Sequence, residues 1–212
     1  MAVRVMWQTP RMTGADAKAD LHRYLQAARD ALLWKLEDLP EYDIRRPLTP
    51  TGTNLLGLVK HLAGVELWYF GDAFGRPPEK RPWSPDDARQ NADFWATAEE
   101  SRDQITGMYR QAWVHADETI RALDLGASGH VPWWPSDRSE VTLHQILVHV
   151  VAETHRHAGH ADIVRELIDG TAGLQADDDN LRTGSGEWWE NYRHQVERVA
   201  QEASQRWAGP GA

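Results

Sequence analysis

Across residues 143–168 the apolar side chains Leu143, Ile146, Val150, Ala161, Val164 and Ile168 return at the three- and four-residue steps of a helix, and most of the chain repeats this spacing. Leu21, Leu25, Ala28, Leu32 and Leu36 make one such stripe, and Leu55, Leu58, Leu62, Val65 and Tyr69 another. Few segments show the two-residue alternation of a strand, so stripes of this kind must be buried mainly against other helices. The chain is therefore expected to be all-α, with helices over about residues 15–39, 54–74, 97–123, 142–168 and 187–207.

The punctuation between these stripes is strong. Prolines in "LPEYDIRRPLTPTGT" end the first helix, Thr53 is an N-cap for the second, and Gly75 followed by Pro77 and Pro78 stops it. The stretch "GRPPEKRPWSPDDARQNADFW" carries too many prolines for a helix interior and reads as a surface excursion. "DLGASGHVPWWPSDRSEV" reads as a loop holding Trp133 and Trp134, adjacent rings of the kind that close over a ligand. "DGTAGLQADDDNLRTGSG" reads as an exposed acidic connector, and Trp188, Trp189, Tyr192, Val196 and Val199 give the last helix its own stripe. No internal repeat is evident, so residues 1–212 are expected to form a single domain.

Composition narrows the partners. The net charge of -9, without a dense Lys/Arg block, argues against nucleic acid and against an anionic membrane surface. No apolar run approaches the ~18 residues of a membrane span, and "MAVRVMWQTPRM" lacks an apolar core behind its Arg, so a cytoplasmic location is expected. The chain has no cysteine, which excludes disulfides, zinc–thiolate sites and a thiol nucleophile of its own; any thiol chemistry needs a small-molecule thiol. Eleven tryptophans exceed what a surface tolerates, so many must line a core or a pocket.

The stretch "AETHRHAGHADIVRE", residues 152–166, crowds titratable groups into the fourth helix. Glu153 and His157 stand one turn apart and project together, close enough to grip one metal. His157 falls inside the apolar stripe and Glu153 on its border, whereas His155 lies on the opposite side and reads as a surface residue. No Lys or Arg in that stripe neutralises the carboxylate, and a divalent cation would. His61 in "GLVKHLAGVE" is available as a third ligand. Its alternative is a core-edge histidine bonded to a carboxylate, with Glu66 either as that partner or as an anchor behind a ligand.

The phrases "TGTNLLGLVKHLAGVELWYF", "TLHQILVHVVAETHRHAGHADIVRELIDG" and "GEWWENYR" resemble, in order and over most of the chain, the DinB-like superfamily, and in particular its actinobacterial branch of unknown function. The resemblance implies a four-helix bundle with an additional C-terminal helix and long connecting loops. It implies a divalent metal held by one His of the second helix and a pair spaced i, i+4 near the end of the bundle, here His61, Glu153 and His157. Many members have a third His where this chain has Glu153; a His, Glu, His zinc triad is a feature of the related mycothiol-dependent maleylpyruvate isomerases.

Three protein ligands with an open position are the arrangement of a catalytic metal, and zinc suits them, with nickel, iron or manganese as alternatives. The first expectation is an enzyme whose metal activates a low-molecular-weight thiol or a water; the resemblance implies a mycothiol-type S-transfer to an electrophile or an isomerisation. In it His160 is the candidate general acid or base, its other readings being a fourth ligand or an exposed residue. Trp68, Trp133 and Trp134 are candidate substrate-binding walls, with core or loop packing as the alternative. A second expectation is a non-catalytic, stress-associated module that holds a metal or small ligand, and a third is a bundle with vestigial ligands. The surplus of large apolar residues leaves room for a homodimer.

Overall fold

Asn54 opens the helix that carries the first candidate ligand: its side chain accepts a hydrogen bond from Gly57 N, so the cap lies one residue beyond the expected Thr53. In this computed structural model, which describes residues 17–79, 83, 90–176 and 184–207, the helices are α1 (Ala17–Trp34), a short α2 (Glu41–Arg45), α3 (Leu55–Glu66), α4 (Arg102–Ala122), α5 (Leu143–Asp169) and α6 (Gly186–Trp207). The expected start of the first helix at residue 15 and the N-terminal segment before it lie outside the described residues, as do most of the proline-rich excursion and part of the acidic connector. The described residues fall into two compact units, one up to residue 176 and one from residue 184.

In the first unit α1 packs along α5, and α3 packs on both α4 and α5, which is the expected four-helix bundle. Leu25, Leu32, Leu55, Leu62, Ile146 and Val150 are fully buried in its core, and Ala112 and Ala116 let α4 approach closely. Reciprocal capping boxes start two of the helices: Ser101 with Gln104 begins α4, and Thr142 with Gln145 begins α5. Gly170, in the left-handed region at φ 81°, ends α5.

Two features depart from the expected outline. The second helix does not run as a regular α-helix to Phe74; it passes through a π-helical turn over Leu67–Gly71 and a 3-10 turn over Asp72–Phe74. The segment expected as a loop around Trp133 and Trp134 is a β-hairpin, β1 (Ser128–His130) paired antiparallel with β2 (Glu140–Thr142), with the two tryptophans in its connection. That hairpin leads directly into α5, since Thr142 is both the last strand residue and the helix cap.

Among the described residues, the charged groups that enter the core do so with partners. Arg29 and Glu66 are both fully buried, and the guanidinium grips both carboxylate oxygens of Glu66 while also donating to Asp117 Oδ1 at 2.9 Å. Burial works against the charge of Arg29, but the two carboxylates outweigh it and hold the group protonated. Glu66 therefore ties α3 to α1 and does not touch His61, contrary to the role considered for it. Arg165 of α5 is buried, yet its guanidinium goes to Asp169 and the carbonyls of Lys35 and Glu37, leaving Glu153 without a cationic partner from this helix.

In the second unit, α6 buries none of its residues, so its tryptophans line no core; Trp188 stacks on Tyr192 with ring centroids 5.3 Å apart.

Candidate metal centre

Gly57 stands one turn before His61 on α3, and a Cβ there would lie 1.9 Å from the carbonyl oxygen of Phe94. Only glycine lets the turn over Ala92–Phe94 seat on this helix. Asn91, in the left-handed conformation at φ 56° that Asn tolerates, starts that turn and aims its residues inward. The result is a clamp on the first ligand. Asp93, only 3% exposed, places Oδ2 2.7 Å from His61 Nδ1, and the Phe94 ring stacks on the imidazole at 4.0 Å.

This clamp fixes the chemistry of the ring. With Nδ1–H donated to Asp93, the lone pair of neutral His61 sits on Nε2, the pattern of a carboxylate-oriented metal-binding histidine. Nε2 is buried and has no hydrogen-bond partner among the described residues. It faces Glu153 Oε1 at 3.7 Å, beyond hydrogen-bonding distance.

Helix α5 supplies the rest. Glu153 Oε1 lies 3.0 Å from His157 Nε2, and one ligand atom from each of His61, Glu153 and His157 falls within 4.8 Å of the others. Attraction to His61 pulls the Glu153 carboxyl down to about 2 against the opposing effect of burial, and His157 adds to it. Burial and the neighbouring His61 push His157 down, which favours the neutral imidazole that a metal needs. Burial also opposes the charged form of His61, but Asp93 and Glu153 overcome it and raise its pKa. The donor set therefore fits one divalent ion: two imidazoles and one carboxylate converge, and one buried nitrogen has no partner among the described residues.

Beside the three groups lies a cavity of about 250 Å³, lined by His61, Val65, Trp68, Tyr69, Trp133, His149 and Glu153. Trp68 and Trp133 meet edge to face at 6.4 Å on its wall. Trp134 is not in the lining; it packs on His149 at 5.1 Å and donates its indole N–H to Tyr69. The π-helical turn explains why Tyr69 reaches the cavity. A regular helix would carry it about 80° around the axis from His61, whereas the wider turn advances fewer degrees per residue and draws it back into line.

His160 stands apart from this cavity. It is exposed, and its Nδ1 lies 3.4 Å from Nδ1 of His157, on the side of that ring turned away from Glu153. His155 is half-buried, donates to the carbonyl of Val151 and lies outside the converging set. Sequence reasoning gave no functional role to His149, Tyr69 or Asp93, and read Tyr69 only as part of a helix stripe. His149 was detectable, because it precedes Glu153 by the same four-residue step that separates Glu153 from His157. Asp93 was not, since it reaches His61 across 32 residues from a segment with no periodicity.

A family model described as Mycothiol-S-transferase matches residues 20–170. A crystal structure titled as the conserved protein of locus from Enterococcus faecalis is similar in fold, with a TM-score of 0.54 and 15% identity over 74% of this chain and 99% of that one. No curated protein matches the sequence. The family match covers α1 through α5 and takes in the clamp, the converging ligands and the cavity, and the chain belongs to the mycothiol-S-transferase family.

Proposed function

We propose that the protein is a divalent-metal-dependent S-transferase that joins a low-molecular-weight thiol of the mycothiol type to an electrophile held in the aromatic cavity. The observation that carries the reading is His61 Nε2, buried, without a partner among the described residues and close to Glu153 and His157, beside a cavity walled by Trp68 and Trp133. Zinc is the ion that best suits two imidazoles and a carboxylate, with nickel, iron or manganese as alternatives. When bound, such an ion lowers the pKa of a thiol or water so that it ionises near neutral pH. The absence of cysteine fits this scheme, because the reacting sulfur then comes from the co-substrate alone.

The chain's residues divide the remaining work. Asp93 orients His61 and holds its tautomer. Trp68 and Trp133 offer flat apolar surface for the body of the electrophile. His160 sits behind His157 and is better placed to orient that ring than to exchange protons with a substrate in the cavity.

The test is elemental mass spectrometry on untagged protein, followed by mycothiol consumption assays with the same samples. About one equivalent of zinc or another divalent metal is expected, with loss of metal and of turnover in His61→Ala and Glu153→Ala. Metal-free protein that still consumes the thiol, or a full complement of metal in both variants, would overturn the reading.

A further inference from the structure

The Tyr69 hydroxyl is committed on its acceptor side. Trp134 Nε1 donates to it at 3.0 Å and Trp133 Nε1 at 3.4 Å. A phenol oxygen has room for about two donors, so both indoles together leave it only one further capacity, to give its own proton. No described residue accepts that proton, and Tyr69 lines the cavity beside His61 and Glu153. An indole cannot accept a hydrogen bond through its N–H, so both contacts run one way: the two indoles give, the phenol oxygen receives, and its own proton is left for another acceptor. His149, with its ring 4.7 Å from that of Tyr69, and Trp134, packed on His149, hold the phenol in this orientation.

We propose that the Tyr69 hydroxyl is a dedicated proton donor to an oxygen atom of the electrophile, which places the substrate among epoxides and carbonyl compounds with a flat apolar body. The proposal rests on the thiol-transfer reading above. In the step it describes, the thiolate sulfur bonds to the electrophilic carbon as a carbon–oxygen bond of that carbon opens. The bonding pair moves to oxygen, the oxygen takes the Tyr69 proton, and the proton released when the thiol ionised is returned to Tyr69 through solvent. The net reaction is addition of a thiol across the carbon–oxygen bond, with no leaving group and no oxidant. A donor fixed where negative charge develops on oxygen lowers the barrier for such substrates and does nothing for an electrophile that expels a halide.

The experiment compares metal-loaded wild type with Tyr69→Phe, using mycothiol with styrene oxide or with benzyl bromide, two electrophiles of similar aromatic body. Turnover of styrene oxide is expected to fall about 100-fold in Tyr69→Phe while that of benzyl bromide changes by less than about threefold. Equal losses on both would make Tyr69 a support for the tryptophan hairpin only, and equal retention would also sink the proposal. A second measurement needs no turnover: binding of acetophenone against its hydrocarbon isostere α-methylstyrene, by calorimetry. The ketone is expected to bind about fivefold more tightly to wild type, an advantage on the scale of one hydrogen bond, and to lose it in Tyr69→Phe. The same preference in both proteins would overturn the donor role. Turnover of benzyl bromide but not styrene oxide by wild type would refute the substrate class and leave S-transfer standing; turnover of neither would refute the S-transfer reading itself.

Discussion

Asp93 does for His61 what no neighbour on α3 does: its carboxylate accepts the hydrogen bond from Nδ1–H and leaves Nε2 free to bind. Replacing it with Asn keeps the size and loses the charge, so Asp93→Asn is expected to weaken metal binding by about 10- to 100-fold in competition with a chromogenic chelator. His149→Ala and His160→Ala should both retain metal in that titration, because neither residue belongs to the converging set, whereas His157→Ala should not. The pH dependence follows from His61. Its folded pKa is raised, so the Nε2 proton that a metal must displace is present until pH climbs above the ordinary imidazole range. Affinity is therefore expected to be full on the alkaline side of that raised value and to fall as pH drops through it. In Asp93→Asn the onset should move to lower pH, and an unmoved onset would show that Asp93 does not set the ring's protonation.

At the scale of elements, the site depends on how closely a turn can approach a helix. Gly57→Ala puts a methyl group where the Phe94 carbonyl now rests, so the Ala92–Phe94 turn must lift. Such overpacking is expected to cost about 1–3 kcal/mol in urea unfolding and to weaken metal binding alongside, since Asp93 lifts with the turn. A second anchor of the same region is Lys60, which reaches Glu100 at 2.9 Å and the Trp95 carbonyl at 3.0 Å. Burial opposes the charge of Glu100, but Lys60 and the backbone N–H of Thr97 hold its carboxyl below the usual range. A depressed carboxyl stabilises the fold above its unfolded pKa and ceases to do so as pH falls through its folded one. Glu100→Gln should thus lower the urea midpoint at pH 7, a deficit that shrinks as pH falls through the lowered folded pKa of Glu100. These contacts mark where sequence reading stopped. The stripe on α5 predicted a buried His157 and a bordering Glu153, because one helix repeats its own geometry. The seat of Phe94 on Gly57 and the partner of Glu66 are long-range matters of shape and charge, which periodicity does not encode.

For the bundle as a whole, the buried Arg29–Glu66 pair ties α1 to α3, and the converging His61, Glu153 and His157 bring α3 and α5 together. Arg29→Met strands Glu66 as an unpaired carboxylate in the core and is expected to cost about 3–5 kcal/mol. Replacing both, as Arg29→Met with Glu66→Leu, should recover most of that in the same denaturation experiment. An ion bound by His61, Glu153 and His157 would join α3 to α5. Saturating metal at about 100 times its Kd should stabilise the fold by about 2.7 kcal/mol, seen as a rise in Tm that a chelator reverses and that His61→Ala lacks. Helical stripes and caps predicted this bundle, but not the hairpin over 128–142, whose strands are only three residues each. That hairpin has a consequence for how such proteins diversify. Its connection, residues 131–139, is closed at the base by the strand pair, and Thr142 restarts the helical phase whatever lies above it. Residues 131–139 thus form a cassette: a graft from a relative would exchange the aromatic wall and the tuning of Tyr69 in one step, while His149, Glu153 and His157 keep their places on the helix below.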